Sequence, residues 1–119
     1  MRIHPGRSLT GKVNIPGDKS ISHRAILLSS LAAGTSRIEN ILIAGVTEKM
    51  LAALEDLGVS WQLKGSTLSV VGRGLHGLRS PEHPLDCGNS ATTMRLLVGA
   101  CSAAGIAVIL TGSPGLRSR

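Results

Sequence analysis

The chain has 119 residues, with 13 Lys and Arg against 7 Asp and Glu and a formal charge of +6, so it is one small domain at most or part of something larger, and it favours an anionic partner. Its residues are 42% apolar but include one Trp, no Tyr and no Phe, so the core must come from Leu, Ile, Val and Ala. Platforms for stacking bases and runs of basic residues are missing, which excludes single-stranded nucleic acid, and the apolar stretches are too short and interrupted to span a bilayer.

In chain order, Leu9 to Ile15 reads as a short strand that ends at Pro16-Gly17. Ser20 to Ala33 reads as a helix stopped by Gly34. Ile21, Ala25, Leu28 and Ala32 share one face, and Ile26, Leu27 and Leu31 lie on others, which predicts a helix buried nearly all round. Ser36 to Ile43 is strand-like. Thr47 to Leu57 reads as a second helix, with Thr47 as N-cap, Glu48 in the first turn and Gly58 as the stop. Val59 to Lys64 alternates apolar and polar residues, and Gly65-Ser66 joins it to Thr67–Val71 as a hairpin with Gly at the positive-φ position. Gly72 to Leu85 is a loop, Gly88 to Ala104 a third helix ending at Gly105, Ile106 to Thr111 a strand, and the tail from Gly112 to Arg119 a loop.

The order is α/β, and it contains a hint of duplication. Gly17 and Gly88, Arg24 and Arg95, and Gly34 and Gly105 share one offset of 71, which also lays Ala32-Ala33 on Ala103-Ala104. This suggests a β-α-β-α-β-β unit over about residues 12–87, loop included, and the start of a second over 88–119. A second unit that stops midway implies a fragment.

Each proposed unit opens a helix with a small, donor-rich segment, Gly17-Asp18-Lys19-Ser20 and then Gly88-Asn89-Ser90-Ala91-Thr92-Thr93. Free N–H groups and the helix dipole make such starts receptive to anions. Lys19 adds a point charge. Ser20 and Arg24, four apart, share a helix face, and Arg95 lies three residues after Thr92. A phosphate or carboxylate held between the two mouths would satisfy all of these groups. The same residues also read as ordinary structure: Ser20 and Ser90 as helix caps, Arg24 and Arg95 as solvated or paired with Asp18 and Asp86. His23 has no nucleophile near it in sequence and reads as structural or solvent-facing. His4, His76 and His83 read as loop residues. Cys87 and Cys101 lack metal-ligand spacing and read as reduced packing thiols of a cytoplasmic protein with no signal peptide.

The stretches PGDKSISHRAILLSSLAAG, DCGNSATTMRLL and LTGSPGLRSR resemble the N-terminal part of the enolpyruvyl transferase family along the whole chain. Within that family, Lys19-Ser20 is similar to the branch acting on shikimate 3-phosphate; the UDP-N-acetylglucosamine branch carries Lys-Asn. The resemblance implies a two-lobed fold of β-α-β-α-β-β repeats, of which only part of one lobe is present, with substrates in the cleft between lobes. It implies transfer of the carboxyvinyl group of phosphoenolpyruvate to the 5-hydroxyl of shikimate 3-phosphate, with release of phosphate and without metal or organic cofactor, in a protein that is a monomer at full length. It further implies that Lys19 meets both substrates, that Ser20 and Arg24 hold shikimate 3-phosphate, and that Ala91 and Arg119 border phosphoenolpyruvate, with Asn89, Thr92 and Arg95 beside them. The family's usual Gly in this motif is Ala91 here, and its first residues belong to the far lobe, so Met1 to Gly11 are expected to lack partners. A chain holding half a cleft is expected to be inactive alone. The reading of a different class is a free-standing anion-binding module without catalysis.

Overall fold

Asp18 opens the first helix: its Oδ1 accepts the Ile21 N–H at 2.7 Å, satisfying one of the donors a helix start leaves over. The computed structural model describes residues 6, 8 and 10–119. Helix α1 runs Lys19–Leu31, β1 Ala33–Ile38, α2 Gly45–Asp56, β2 Ser60–Lys64, β3 Thr67–Arg73, β4 Leu85–Asp86, α3 Ala91–Ala104, β5 Leu110–Thr111 and α4 Pro114–Arg117. A single 3-10 turn, Leu75–Gly77, interrupts the loop after β3.

Strands β1, β3 and β2 form an antiparallel sheet with β3 in the middle, and β2 pairs β3 through the hairpin at Gly65, whose φ is +58°. Leu68 and Val70 of β3 are buried on the face beneath α1, while Ser69 and Val71 point away. Gly72 continues the buried face because α1 crosses there: a Cβ would collide with the carbonyl oxygens of Ser29 and Ala32. The Ala32 carbonyl, left over at the end of α1, accepts from the Gly74 N–H at 2.9 Å.

One aliphatic core joins these elements. Ile26 of α1, Met50 and Leu54 of α2, Leu57, Leu68 of β3, Leu85 of β4 and Leu97 of α3 are each at most 1% exposed. Fully burying such a side chain stabilises by about 1.5–3 kcal/mol, so a core without Phe or Tyr suffices. Cys87 and Cys101 are free, buried packing residues of the same cluster, and burial pushes the Cys87 thiol up to about 11.

Several expected elements differ. Residues 10–15 pair with no strand among the described residues, and Val13 and Ile15 are 83% and 76% exposed; Leu9 lies outside the described residues, as do His4 and most of the Met1–Gly11 segment. Helix α1 ends two residues early because Ala32 turns extended (ψ 160°) to enter β1, leaving Gly34 inside that strand. Nor is α1 buried all round, since Ile21 and Leu28 are 61% and 64% exposed. Strand β1 covers Ala33–Ile38 and stops before the expected Ile43 because Asn40 takes a left-handed φ of +52°.

Thr47 is not the N-cap of α2. That position is Ala44, and Thr47 lies three residues on, where its Oγ1 accepts the Ala44 N–H at 2.9 Å and lies 2.9 Å from the Leu42 carbonyl. Helix α3 starts at Ala91, not Gly88, and the strand after it shortens to Leu110–Thr111, its parallel pairing to β4 reaching no further. The tail carries one short helix capped by Ser113.

Candidate functional site: converging helix starts

Strands β4 and β5 are short but they set the geometry of the second mouth. Their parallel pairing, Leu85 with Leu110 and Asp86 with Thr111, brings both chains to the same end of the pair. The Cys87 N–H donates to the Thr111 carbonyl at 2.9 Å and the Ser113 N–H to the Gly88 carbonyl at 2.7 Å. Segments 88–90 and 112–113 therefore run side by side into the starts of α3 and α4. Crevices beyond the carboxyl ends of parallel strands are where α/β proteins bind ligands.

Gly112 is required by this approach, since a Cβ there would lie 2.5 Å from the Gly88 carbonyl oxygen and 2.7 Å from a Leu116 methyl. Gly88 itself has φ +55°, and the Lys49 stem lies over it. Lys49 Nζ reaches Asp86 Oδ2 at 2.6 Å while Asp86 Oδ1 accepts the Gly88 N–H at 2.8 Å. The hydrogen bond from Lys49, with that from Gly88, holds the Asp86 carboxyl below its ordinary range, and the same contact raises Lys49.

The sequence residues fall into two groups. Lys19, Ser20 and Arg24 lie on the first and second turns of α1, with Lys19 and Arg24 exposed. Asn89, Ala91, Thr92 and Arg95 lie at the start of α3, where Ser90 is the N-cap and its Oγ accepts the Thr93 N–H at 3.1 Å. The cap reading thus holds for Ser90 and fails for Ser20, whose position is taken by Asp18. Asn89 Oδ1 lies 3.3 Å from Ser113 Oγ and 3.4 Å from Arg119 Nη2, so Asn89 and Arg119 meet although thirty residues separate them.

Pairing of Arg24 with Asp18 and of Arg95 with Asp86 does not occur. Asp18 caps α1 and Asp86 serves Lys49 and Gly88, while Glu39 pairs with Arg37. Among the described residues Lys19, Arg24, Arg95 and Arg119 have no carboxylate partner. Exposed cations beside helix starts offer both charge and free N–H groups to an anion.

The two mouths are joined by His23 and Thr93, to which the sequence assigned no part in the site. His23, fully buried, sits one turn into α1; its Nδ1 lies 2.7 Å from the Lys19 carbonyl oxygen and its Nε2 3.2 Å from the Val46 carbonyl oxygen of α2. Thr93, also fully buried, brings Oγ1 from α3 to 3.3 Å from that same Val46 oxygen and to 2.8 Å from Ser90 Oγ. The starts of α1, α2 and α3 therefore meet at one carbonyl. His23 is structural and not solvent-facing. Its only sequence signal was its place four residues after Lys19, which puts it over the Lys19 carbonyl.

Together these features define an α/β unit whose helix starts converge beside unneutralised cations. A family model described as EPSP synthase (3-phosphoshikimate 1-carboxyvinyltransferase) matches residues 3–119, and the chain belongs to this family. It is 48% identical over 118 residues to a 3-phosphoshikimate 1-carboxyvinyltransferase of Roseiflexus sp. (strain RS-1), covering 98% of this chain and 27% of that protein. With the enzyme of the same name from Geobacter sulfurreducens it shares 44% identity, again over 98% of this chain and 27% of the relative. The structure of EPSP synthase from Acinetobacter baumannii superposes with a TM-score of 0.86 at 40% identity, over 92% of this chain and 25% of that one. The expected α/β fold of this family is thus borne out, and the chain spans about a quarter of the length of these relatives. No helix among the described residues is long and apolar enough to cross a membrane.

Proposed function

We propose that this chain contributes one wall of a site that transfers the carboxyvinyl group of phosphoenolpyruvate to the 5-hydroxyl of shikimate 3-phosphate. In the net reaction the hydroxyl oxygen bonds to the vinyl carbon and loses its proton, while the bond from that carbon to the phosphate oxygen breaks and phosphate leaves. The observation that carries the reading is the pair of linked helix starts with unneutralised Lys19, Arg24, Arg95 and Arg119, in a member of this family.

Both substrates are multiply anionic, so each group has a role to fill. Arg24 forms a charge-assisted fork on the carboxylate of shikimate 3-phosphate, with Ser20 beside it. Lys19, at the lip of α1, faces both substrates near the reacting hydroxyl. Ala91 and Arg119 border phosphoenolpyruvate, and Asn89, which already meets Arg119, orients that guanidinium; Thr92 and Arg95 complete the second mouth. The scheme as proposed uses no metal or organic cofactor.

Orientation of both substrates needs groups from both walls, so the chain by itself binds anions weakly and does not turn over. The test is phosphate release from phosphoenolpyruvate and shikimate 3-phosphate, in a full-length protein carrying this chain and in the chain alone. Turnover by the first and none by the second is expected. Binding of both substrates without turnover by the full-length protein would instead favour the non-catalytic anion-binding module.

A further inference from the structure

We infer that His23 and Thr93 are positioning residues that fix the distance between the two anion mouths by converging on a single backbone group, the Val46 carbonyl. The inference rests on the proposed two-substrate reading and extends it to residues that touch neither substrate. His23 and Thr93 are both 0% exposed, so neither is placed to meet a ligand. The His23 ring is wedged between two carbonyl oxygens, with Nδ1 2.7 Å from that of Lys19 at the lip of α1 and Nε2 3.2 Å from that of Val46, and a neutral ring donates its one N–H to one of them while packing against the other. Val46 is the second residue of α2.

From the opposite side, the Thr93 hydroxyl reaches the same carbonyl and is itself held by the α3 cap Ser90, 4% exposed, one residue before Ala91. The chain Lys19–His23–Val46–Thr93–Ser90 thus runs from one mouth to the other, with His23, Thr93 and Ser90 buried and Val46 partly buried. A displacement of about 1 Å between two bound reactants costs up to a hundredfold in rate, while each reactant alone still finds its own mouth intact. The signature of such a linker is a loss in kcat that is not matched by lost binding of a single substrate.

The experiment uses a full-length family member carrying this chain, with His23→Asn, Thr93→Val, the double variant, and Ile26→Val as a core control that sits in the same helix but off the junction. Asn retains a donor near the Lys19 carbonyl but is too short to span to Val46; Val keeps the shape of Thr93 and removes its hydroxyl. Expected are a fall in kcat of about ten- to a hundredfold in each single variant, binding of shikimate 3-phosphate alone within about threefold of the parent, and a double variant no worse than the poorer single one. Single variants within about twofold of the parent in kcat, additive losses in the double variant, or an equal kcat loss in Ile26→Val would each overturn the inference. If His23→Asn fails to fold, Thr93→Val against Ile26→Val decides alone. If the parent itself does not turn over this substrate pair, the functional reading fails while the junction stays testable through the 15N shifts of the His23 ring. These must move in Thr93→Val; a ring indifferent to Thr93 refutes the linkage.

Discussion

Replacing Gly112 with Ala probes the second mouth without touching a charged group. The added methyl would lie 2.5 Å from the Gly88 carbonyl oxygen and 2.7 Å from a Leu116 methyl, inside any separation that carbon keeps from backbone oxygen. Segment 112–113 must therefore move away from segment 88–90 by about half an ångström or more, and overpacking of this kind costs about 1–3 kcal/mol. The same movement stretches the 2.7 Å bond from the Ser113 N–H to the Gly88 carbonyl, adding about 1 kcal/mol. The sum is about 2–4 kcal/mol.

Gly115 supplies the control. It lies in α4, a Cβ there would meet nothing within 4 Å, and Ala favours a helix, so Gly115→Ala is expected to be neutral or slightly stabilising. Urea unfolding of the two variants in a full-length protein carrying this chain measures the difference, and the KM for phosphoenolpyruvate of Gly112→Ala is expected to rise because Asn89 and Arg119 part. Equal stability of the two variants would refute the close approach of the strands at this point.

On the proposed reading Arg24→Lys keeps the charge but loses the fork, so affinity for shikimate 3-phosphate is expected to fall by roughly 1–3 kcal/mol in calorimetry; unchanged binding would make Arg24 a solvated helix residue. Ala91 is the first residue of α3, and on the proposed reading its methyl borders phosphoenolpyruvate and intrudes on any longer ligand. Resemblance to the family puts the slightly longer herbicide glyphosate in that site, so Ala91→Gly is expected to lower its inhibition constant roughly ten- to a hundredfold, and no gain in sensitivity would remove Ala91 from the contact. Cys87, with its thiol pushed up to about 11 chiefly by burial, resists alkylation at pH 8 in the folded protein and reacts in denaturant. Because its folded value is raised, the stability it contributes is complete below the ordinary value of 9.0 and is lost as pH rises from there through about 11. Native alkylation at a rate near that of a free thiol would contradict the burial.

What the sequence determined by itself was local. Helical periodicity is carried by neighbouring residues, so the three helices were legible to within a few positions, although Ser20 and Thr47 are not the caps expected and Gly34 lies inside β1. The Gly65-Ser66 hairpin was legible because its turn needs a residue at positive φ and the flanks alternate. The basic and donor-rich helix starts were legible as well, since Lys19, Ser20 and Arg24 lie within two turns.

Tertiary structure decided the rest, because those outcomes depend on partners distant in the chain. A strand-like pattern over residues 10–15 yields no strand where no neighbour supplies a ladder, and the apolar run of α1 leaves Ile21 and Leu28 outside for the same reason. Asp86 could have paired with Arg95; the parallel pairing of β4 with β5 set it instead beside Lys49 of α2. Asn89 and Arg119 meet only because that pairing aligns the starts of α3 and α4. The Val46 carbonyl is invisible in any sequence pattern, being backbone, yet His23 and Thr93 converge on it from helices seventy residues apart. A hydrogen bond to main chain leaves no residue-type signature at the acceptor, so only the packing of three helices could disclose the junction.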